Sequence, residues 1–326
     1  MKRKSNIALY VIGVVLVVVA GVMLWAILNR QWVYDFWRGL NYQPVGEMER
    51  IRDDLGLTER GEFLFKAARP VLSSRSEFND KCRTVLDEEM AVLGCYTNDD
   101  IYIYDIESAE LDGIRELTTA HELLHAVWAR MSEQEKTELA TELAKVLTEN
   151  QDFLEEEINR YAATEQQEEL FVRAGTEVKK LPEKLEQLYG EIFRNQDAVV
   201  EFYDKYIAVF RRIEAEMEKL KSEMEALQAE IDAKTAEYEN AVAKLNAEIA
   251  EFNHCAETAG CFVSEGVFYA RRAELLNEQA GLEVLFNIIN GLVDDYNVKV
   301  EQYNADVVHG DELNRKINSA SEVEGL

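Results

Sequence analysis

The sequence predicts a predominantly helical α+β protein with an N-terminal transmembrane helix, a small mixed domain containing a β-hairpin, and a long antiparallel coiled-coil hairpin. Three observations predict this fold class. An uncharged apolar run opens the chain, two β-rich runs flank an Asn/Asp turn, and heptad spacing fills the C-terminal third. With three prolines in 326 residues and 30% charged residues, the composition favours helices.

The N-terminal apolar run, residues 7–28, contains no charged residue. As a helix it would reach about 33 Å, enough to cross the hydrocarbon core of a bilayer. Lys2, Arg3 and Lys4 precede it, which predicts that residues 1–6 are a cytoplasmic tail and that the rest of the chain is extracytoplasmic. Aromatic residues suited to the outer interface lie near the end of the run and beyond it: Trp25, Trp32, Tyr34 and Trp37.

A cleaved signal peptide is the alternative to a retained anchor. Signal peptides carry an apolar region of about 7–15 residues followed by a small-x-small cleavage site. The run here is longer and no such site follows it, so the sequence favours a single-pass protein of the cell membrane.

The charge and the cysteines restrict the class of protein further. A formal net charge of -28 argues against a nucleic-acid partner, because so acidic a surface repels phosphates. The cysteines form two close pairs in sequence, Cys82 with Cys95 and Cys255 with Cys261. Two local disulfides are the simplest reading of four cysteines in an exported chain, although three pairings are open. Their spacing does not fit the knuckles of a four-cysteine zinc site.

Residues 29–57 show weak periodicity and are assigned only as a juxtamembrane segment, and residues 58–200 are expected to form the mixed domain. Thr58 is a predicted helix N-cap, and Ser132 with Glu135 is a predicted capping box. Gly175 is expected to end a helix that begins near Gln166.

The most specific chemical feature is the pentapeptide His121-Glu122-Leu123-Leu124-His125, which lies in a predicted amphipathic helix. Histidines four residues apart stack on one helix face and can offer two imidazole nitrogens to one zinc ion. The intervening Glu122 is then placed to accept a proton from water as a general base. The alternative is a helix whose histidines are ordinary, partly buried polar residues.

A strand followed by an H-E-x-x-H helix resembles the zincin metallopeptidases. The resemblance implies a Zn²⁺ cofactor and a peptide or protein substrate that pairs with an edge strand of the sheet. The residues expected to bind substrate in this way are Ile101, Tyr102, Ile103 and Tyr104. Their alternative role is that of a half-buried strand in the core.

A catalytic zinc ion needs three protein ligands, and no third histidine is well placed, since His254 and His309 lie in the coiled-coil region. A later carboxylate is therefore expected, as in the gluzincin type. The stretch from Glu169 to Glu177 resembles one in uncharacterised membrane-anchored bacterial proteins with an H-E-x-x-H helix, which implies Glu169 as the third ligand. Glu168 and a solvated acidic face remain the alternatives.

From Tyr206 onward, apolar residues alternate in steps of three and four, pause at the Cys255–Cys261 loop and then resume. Two such arms joined by a short loop predict an antiparallel coiled-coil hairpin over residues 201–318, with a C-terminal tail at 319–326.

Together these features predict a membrane-anchored extracytoplasmic zinc metallopeptidase that hydrolyses peptide bonds. The coiled coil offers a surface for a protein partner or for self-association. The alternative function is a cell-surface coiled-coil interaction protein whose zincin-like domain is catalytically inactive.

Overall fold

The computed structural model describes residues 2–83 and 93–318, with side chains from residue 10 onward. It is mostly helical with a small sheet, so the predicted α+β class is confirmed. The chain divides into one compact unit made of Met1–Val209 with Asn314–Leu326, and a second made of Phe210–Leu313. The predicted tail at 319–326 and the expected start of the β-hairpin at Ala91 lie outside the described residues.

The chain opens with helix α1, Lys2–Leu28, followed after one residue by helix α2, Arg30–Leu40. Within α1 the stretch Tyr10–Leu28 has a mean hydropathy of 3.0 and none of it is buried. Its length and composition suit a membrane anchor, and a signal sequence has the same properties.

Eight further helices belong to the first unit among the described residues. They are α3 Glu47–Asp54, α4 Glu59–Ala68, α5 Arg75–Lys81, α6 Ile114–Trp128, α7 Glu133–Glu149, α8 Gln151–Asn159, α9 Gln166–Glu177 and α10 Glu183–Gly190. Two predicted caps are confirmed. The Thr58 side chain accepts a hydrogen bond from the backbone amide of Gly61, and Ser132 forms a reciprocal capping box with Glu135.

The described sheet contains strands β1 Val71–Ser73, β2 Gly94–Thr97 and β3 Asp100–Tyr104 in the order β1-β3-β2. β2 and β3 pair antiparallel around Asn98 and Asp99, whose φ values of 51° and 64° suit a tight hairpin turn. The predicted hairpin is therefore confirmed. β1 pairs with β3 in parallel, so β3 is the central strand and β2 lies at an edge.

The hydrophobic core of the first unit includes part of residues 29–57, although the weak periodicity of this segment had not predicted a packed structure. Residues 29–57 contain α2 and α3, and Met48, Ile51 and Leu55 of this segment are buried in the main hydrophobic cluster. An isolated bridge between Leu57 and Phe193 ties the segment to the end of the unit. These contacts make the N-terminal helices part of the folded unit.

Gly175 does not end its helix, contrary to the sequence-based expectation, because α9 continues to Glu177. A Cβ atom at this position would lie 2.5 Å from Leu124 Cδ1 and 2.7 Å from Tyr189 Cε1. The glycine therefore permits close packing of α9 against α6 and α10, which aligns the two helices that carry the candidate site.

Two local disulfides join Cys82 to Cys95 and Cys255 to Cys261, as predicted. Two long helices follow, α11 Gln196–Glu257 with 62 residues and α12 Glu265–Ile317 with 53 residues. The Cys255–Cys261 disulfide lies at the loop that joins them. The helices run antiparallel, since Glu223 pairs with Lys299 and Lys244 pairs with Glu278. The predicted helical hairpin is confirmed.

Candidate metal centre

Helix α6 presents both histidines of the pentapeptide from one face. Ala120, Leu124 and Val127 of this helix are buried in the main core, which fixes the rotation of the helix. His121 and His125 lie beside that buried stripe with side chains 20% exposed, and their ring centroids are 5.1 Å apart. The two imidazoles therefore meet at the border between core and surface.

Helix α9 brings a carboxylate to the two rings. One oxygen of Glu169 lies 3.8 Å from His121 Nε2, and the other lies 3.5 Å from His125 Nε2. Glu169 is only 2% exposed, although it lies in an acidic stretch of sequence. Phe171, two residues later, packs against Trp128 of α6 and so anchors α9 at this position.

His121, His125 and Glu169 offer three ligand atoms that all lie within 4.8 Å of one another. Tetrahedral zinc has bonds of about 2.0–2.2 Å to nitrogen and oxygen, which places its ligand atoms roughly 3.3 Å apart. Two imidazoles and one carboxylate are a donor set that metal ions accept, and the spacing of the three ligand atoms is somewhat wider than this value. The triad could hold a metal ion.

Glu168 contacts the other nitrogen of His125. His125 Nδ1 lies 2.8 Å from Glu168 Oε1, so the ring can donate from Nδ1 and turn Nε2 toward Glu169. The sequence left Glu168 open as an alternative ligand. Its position matches that of a carboxylate that orients a metal-binding histidine.

Burial and charge set the protonation of the centre. Burial lowers the pKa of His121 to about 3, which keeps this ring neutral, the form that binds metals. Burial would also lower the pKa of His125, but its bonds to Glu168 and Glu169 outweigh that effect and raise the pKa to about 10. Burial alone would raise the pKa of Glu169, yet the two histidines and Arg173 hold it well below its usual range.

Arg173 connects Glu169 to a further carboxylate, that of Glu177. Its Nε lies 2.7 Å from Glu169 Oε1, and its Nη1 lies 3.0 Å from Glu177 Oε1. No role for Arg173 and Glu177 was predicted from the sequence, because acidic and basic residues on a helix usually face solvent. Their regular four-residue spacing from Glu169 was the available indication of one shared helix face.

Glu122 is buried, with 5% exposure, and packs beneath the edge strand β2. A Cβ atom at Gly94 would lie 2.6 Å from Glu122 Cγ and 2.7 Å from its Oε1. Only glycine fits at this position, so the backbone of β2 packs directly against the Glu122 side chain. This contact could not be predicted from local sequence patterns, because it joins residues distant along the chain.

The four residues expected to bind substrate occupy β3. Ile101 and Ile103 are buried in the main core, and Tyr102 and Tyr104 pack near the Cys82–Cys95 disulfide and Phe78. β3 is hydrogen bonded on both sides, to β1 and to β2. The expectation that β3 is a free edge strand is therefore wrong, because its backbone has no open side for a peptide.

Comparison of the chain with models of known protein families, with curated proteins and with solved structures found no match.

Proposed function

We propose that the protein is a membrane-anchored extracytoplasmic zinc metallopeptidase of the zincin type. The observation that carries this proposal is the group of His121, His125 and Glu169, whose ligand atoms lie within 4.8 Å of one another, with Glu122 in the same helix as the two histidines. Two imidazoles, one carboxylate and an open fourth position are the ligand set typical of a catalytic zinc site.

Zinc held by this triad would supply Lewis-acid activation of the scissile carbonyl and of the attacking water. The chain itself would supply the proton transfers. The Glu122 carboxylate accepts a proton from the attacking water and delivers it to the nitrogen of the departing amine. Glu168, bonded to Nδ1 of His125, would orient this ring and leave its Nε2 available to hold the ion.

The edge strand β2 is the part of the sheet best suited to a peptide substrate. Its outer backbone has no strand partner among the described residues, and it passes beside Glu122 at Gly94. An extended peptide added to Gly94–Thr97 would therefore lie close to the proton acceptor. This assigns to β2 the role that the sequence had suggested for Ile101 to Tyr104.

The proposed location follows from α1 and from the disulfides. An apolar helix at Tyr10–Leu28 supports anchoring in a membrane, and basic residues ahead of it support a cytoplasmic N-terminus. Disulfides at Cys82–Cys95 and Cys255–Cys261 support an oxidising compartment for the remaining chain.

The experiment is metal analysis and peptide cleavage on the full chain purified in detergent. We expect one equivalent of zinc per chain and hydrolysis of a mixed peptide library. Glu122→Gln should keep the zinc and lose hydrolysis, whereas Glu169→Gln should lose zinc as well. The exposed residue Glu165, which lies immediately before α9, provides the matched control Glu165→Gln, which should retain both properties.

A chain that binds no zinc near neutral pH would overturn the proposal. Equal hydrolysis by wild type and Glu122→Gln would overturn the mechanism, because it would show that Glu122 accepts no proton in the reaction. Equal loss of zinc in Glu122→Gln and Glu169→Gln would overturn the ligand assignment.

A further inference from the structure

Helix α2 buries a charged side chain and exposes apolar ones, the reverse of an ordinary surface helix. An amphipathic helix on a soluble protein turns its apolar stripe to the core and its polar face to water. In α2 the buried residue is Asp35, which is 2% exposed, whereas Trp37 and Leu40 are 65% and 51% exposed. The helix thus directs a charged residue inward and leaves Trp37 and Leu40 largely exposed.

The inward side of α2 is fixed by charged hydrogen bonds. Both carboxylate oxygens of Asp35 accept from Arg130, at 2.7 and 2.9 Å. Arg130 follows the end of α6 by two residues, and its Nη1 also donates to the Ala126 carbonyl at 2.7 Å. The buried pair therefore joins α2 directly to the helix that carries both histidines.

A second set of bonds joins α2 to the sheet. Arg38 donates to the backbone carbonyls of Ala67 and Asp99, at 2.9 and 2.6 Å, and to the carboxylate of Asp100 at 2.5 Å. Asp99 and Asp100 lie at the turn between β2 and β3. α2 is thus held both to the helix that carries the histidines and to the edge-strand hairpin.

The outward side of α2 forms a patch that we call the aromatic face, and its members are all at least 40% exposed. They are Trp32, Phe36, Trp37 and Leu40. Phe36 contacts Trp32 on one side and Trp37 on the other, with ring centroids 5.4 and 6.5 Å apart, and Trp32 also stacks on Phe63 of α4. Tryptophan and tyrosine concentrate where a bilayer meets water, and clustered exposed apolar groups mark an interaction site.

The aromatic face begins where the apolar helix ends. Asn29 is the single residue between α1 and α2, and its φ of -112° and ψ of 34° depart from helical values. Two backbone hydrogen bonds still span it, from Asn29 N to the Trp25 carbonyl at 2.9 Å and from Val33 N to the Asn29 carbonyl at 3.0 Å. A helix of 11 residues, roughly 16 Å long, offers far less than the about 800 Å² per partner of a stable protein interface. The bilayer beside α1 is the occupant that this position and size favour.

We propose that the aromatic face of α2 lies in the outer headgroup region of the bilayer and that the Asp35–Arg130 pair holds the metal centre at a fixed, small height above it. This inference rests on the proposed anchoring by α1 and on the proposed peptidase activity. It assigns the substrate class as peptide segments close to the membrane surface, such as the stalks of membrane-anchored proteins.

The first test measures lipid contact on the full chain in vesicles of phosphatidylcholine and phosphatidylglycerol. Nitroxide labels are placed singly by Trp37→Cys and Leu40→Cys, with Glu149→Cys on the polar surface of α7 as the matched control. We expect the ratio of oxygen to nickel-complex accessibility at residues 37 and 40 to exceed that at 149 by roughly threefold. Equal ratios at the three positions overturn the proposal, and so does spin–spin broadening that shows a second copy on the aromatic face.

The second test compares one cleavable peptide in two forms, free in solution and tethered by a short linker to lipid in the same vesicles. We expect the tethered form to be cleaved roughly tenfold faster, because tethering raises its effective concentration at the centre. The double variant Trp37→Glu with Leu40→Glu should lose most of that advantage and cleave the free peptide at the wild-type rate.

Equal cleavage of the two peptide forms by wild type would overturn the substrate assignment. Failure of the proposed function is distinguishable from this result, because it removes cleavage of both forms and leaves the label accessibilities unchanged. Failure of the lipid contact, conversely, leaves zinc binding and cleavage of the free peptide intact.

Discussion

His125 and Glu168 form a hydrogen-bonded pair across α6 and α9, with 2.8 Å between Nδ1 and the carboxylate oxygen. The two ring nitrogens therefore have different partners: Nδ1 contacts Glu168, and Nε2 lies 3.5 Å from Glu169. Adjacent residues of α9 thus serve different purposes. Glu169 belongs to the group that could hold a metal ion, and Glu168 bonds to the other nitrogen of the ring.

Replacement of Glu168 should therefore weaken metal binding without removing a ligand. We expect Glu168→Ala to lower zinc affinity about 10- to 100-fold, the usual effect of losing a carboxylate that orients a metal-binding histidine. Titration against a chelator of known affinity measures this change, with Glu165→Ala as the exposed acidic control. Unchanged affinity in Glu168→Ala would show that the bond to His125 has no part in metal binding.

A methyl group at Gly94 should disturb Glu122 more than it disturbs the metal ligands. The added Cβ would lie 2.6 Å from Glu122 Cγ and 2.7 Å from Thr118 Cγ2, so the carboxylate must move. We expect Gly94→Ala to reduce peptide hydrolysis by at least about tenfold, since misplaced catalytic groups lose rate steeply, while zinc content stays near wild type. Gly190→Ala, where nothing lies within 4 Å of the new methyl, should keep full activity.

The buried pair between Asp35 and Arg130 should matter for stability. Their side chains are 3% and 9% exposed, so Asp35→Ala would leave a buried guanidinium without its carboxylate. We expect a loss of about 3–5 kcal/mol in the free energy of unfolding, measured by thermal unfolding in detergent. Asp35→Leu combined with Arg130→Met should be less destabilised than Asp35→Ala, because no lone charge is then buried. A double variant as unstable as Asp35→Ala would argue that packing, rather than charge, holds α2.

Glu177 should make stability depend on pH. Burial raises its pKa to about 7 from an ordinary value of 4.5, despite the opposing effect of Arg173. Its folded-state pKa lies above its unfolded value, so its contribution is fully present below pH 4.5 and is lost as pH rises through about 7.

The metal-free wild type should accordingly lose stability relative to Glu177→Gln between pH 5 and pH 8, by on the order of 2–3 kcal/mol. Thermal unfolding of both proteins in chelator across this range measures the difference. The exposed variant Glu149→Gln should track the wild type. A constant difference between wild type and Glu177→Gln at all pH values would mean that Glu177 titrates alike in the folded and unfolded chains.

Local sequence patterns predicted the elements that depend on neighbours in the chain. The cap at Thr58, the hairpin turn at Asn98 and Asp99, the H-E-x-x-H helix and the helical hairpin all follow from spacings of a few residues. The two histidines needed no tertiary information to be placed together, since one helical turn separates them.

Other features depend on partners that are distant in sequence and could not be predicted in this way. β3 became central because β1, about 30 residues earlier by register, pairs with it in parallel. Glycine often follows the last residue of a helix, so Gly175 was expected to end α9. Instead it lies within the helix and permits close contact with Leu124 and Tyr189. The burial of Asp35 and Arg173 followed from partners that no periodicity reveals.

The burial of α3 in the core decides where this protein can be shortened. A truncated, soluble version that begins at residue 58 would lack Ile51 and Leu55, both nearly inaccessible, and would leave Arg130 without Asp35. Such a fragment should aggregate or misfold, and its inactivity would say nothing about the intact chain. A version that starts just after Leu28 keeps every one of these contacts. It also keeps the exposed apolar side chains of α2, so it should need detergent or polar replacements on α2 to stay monomeric.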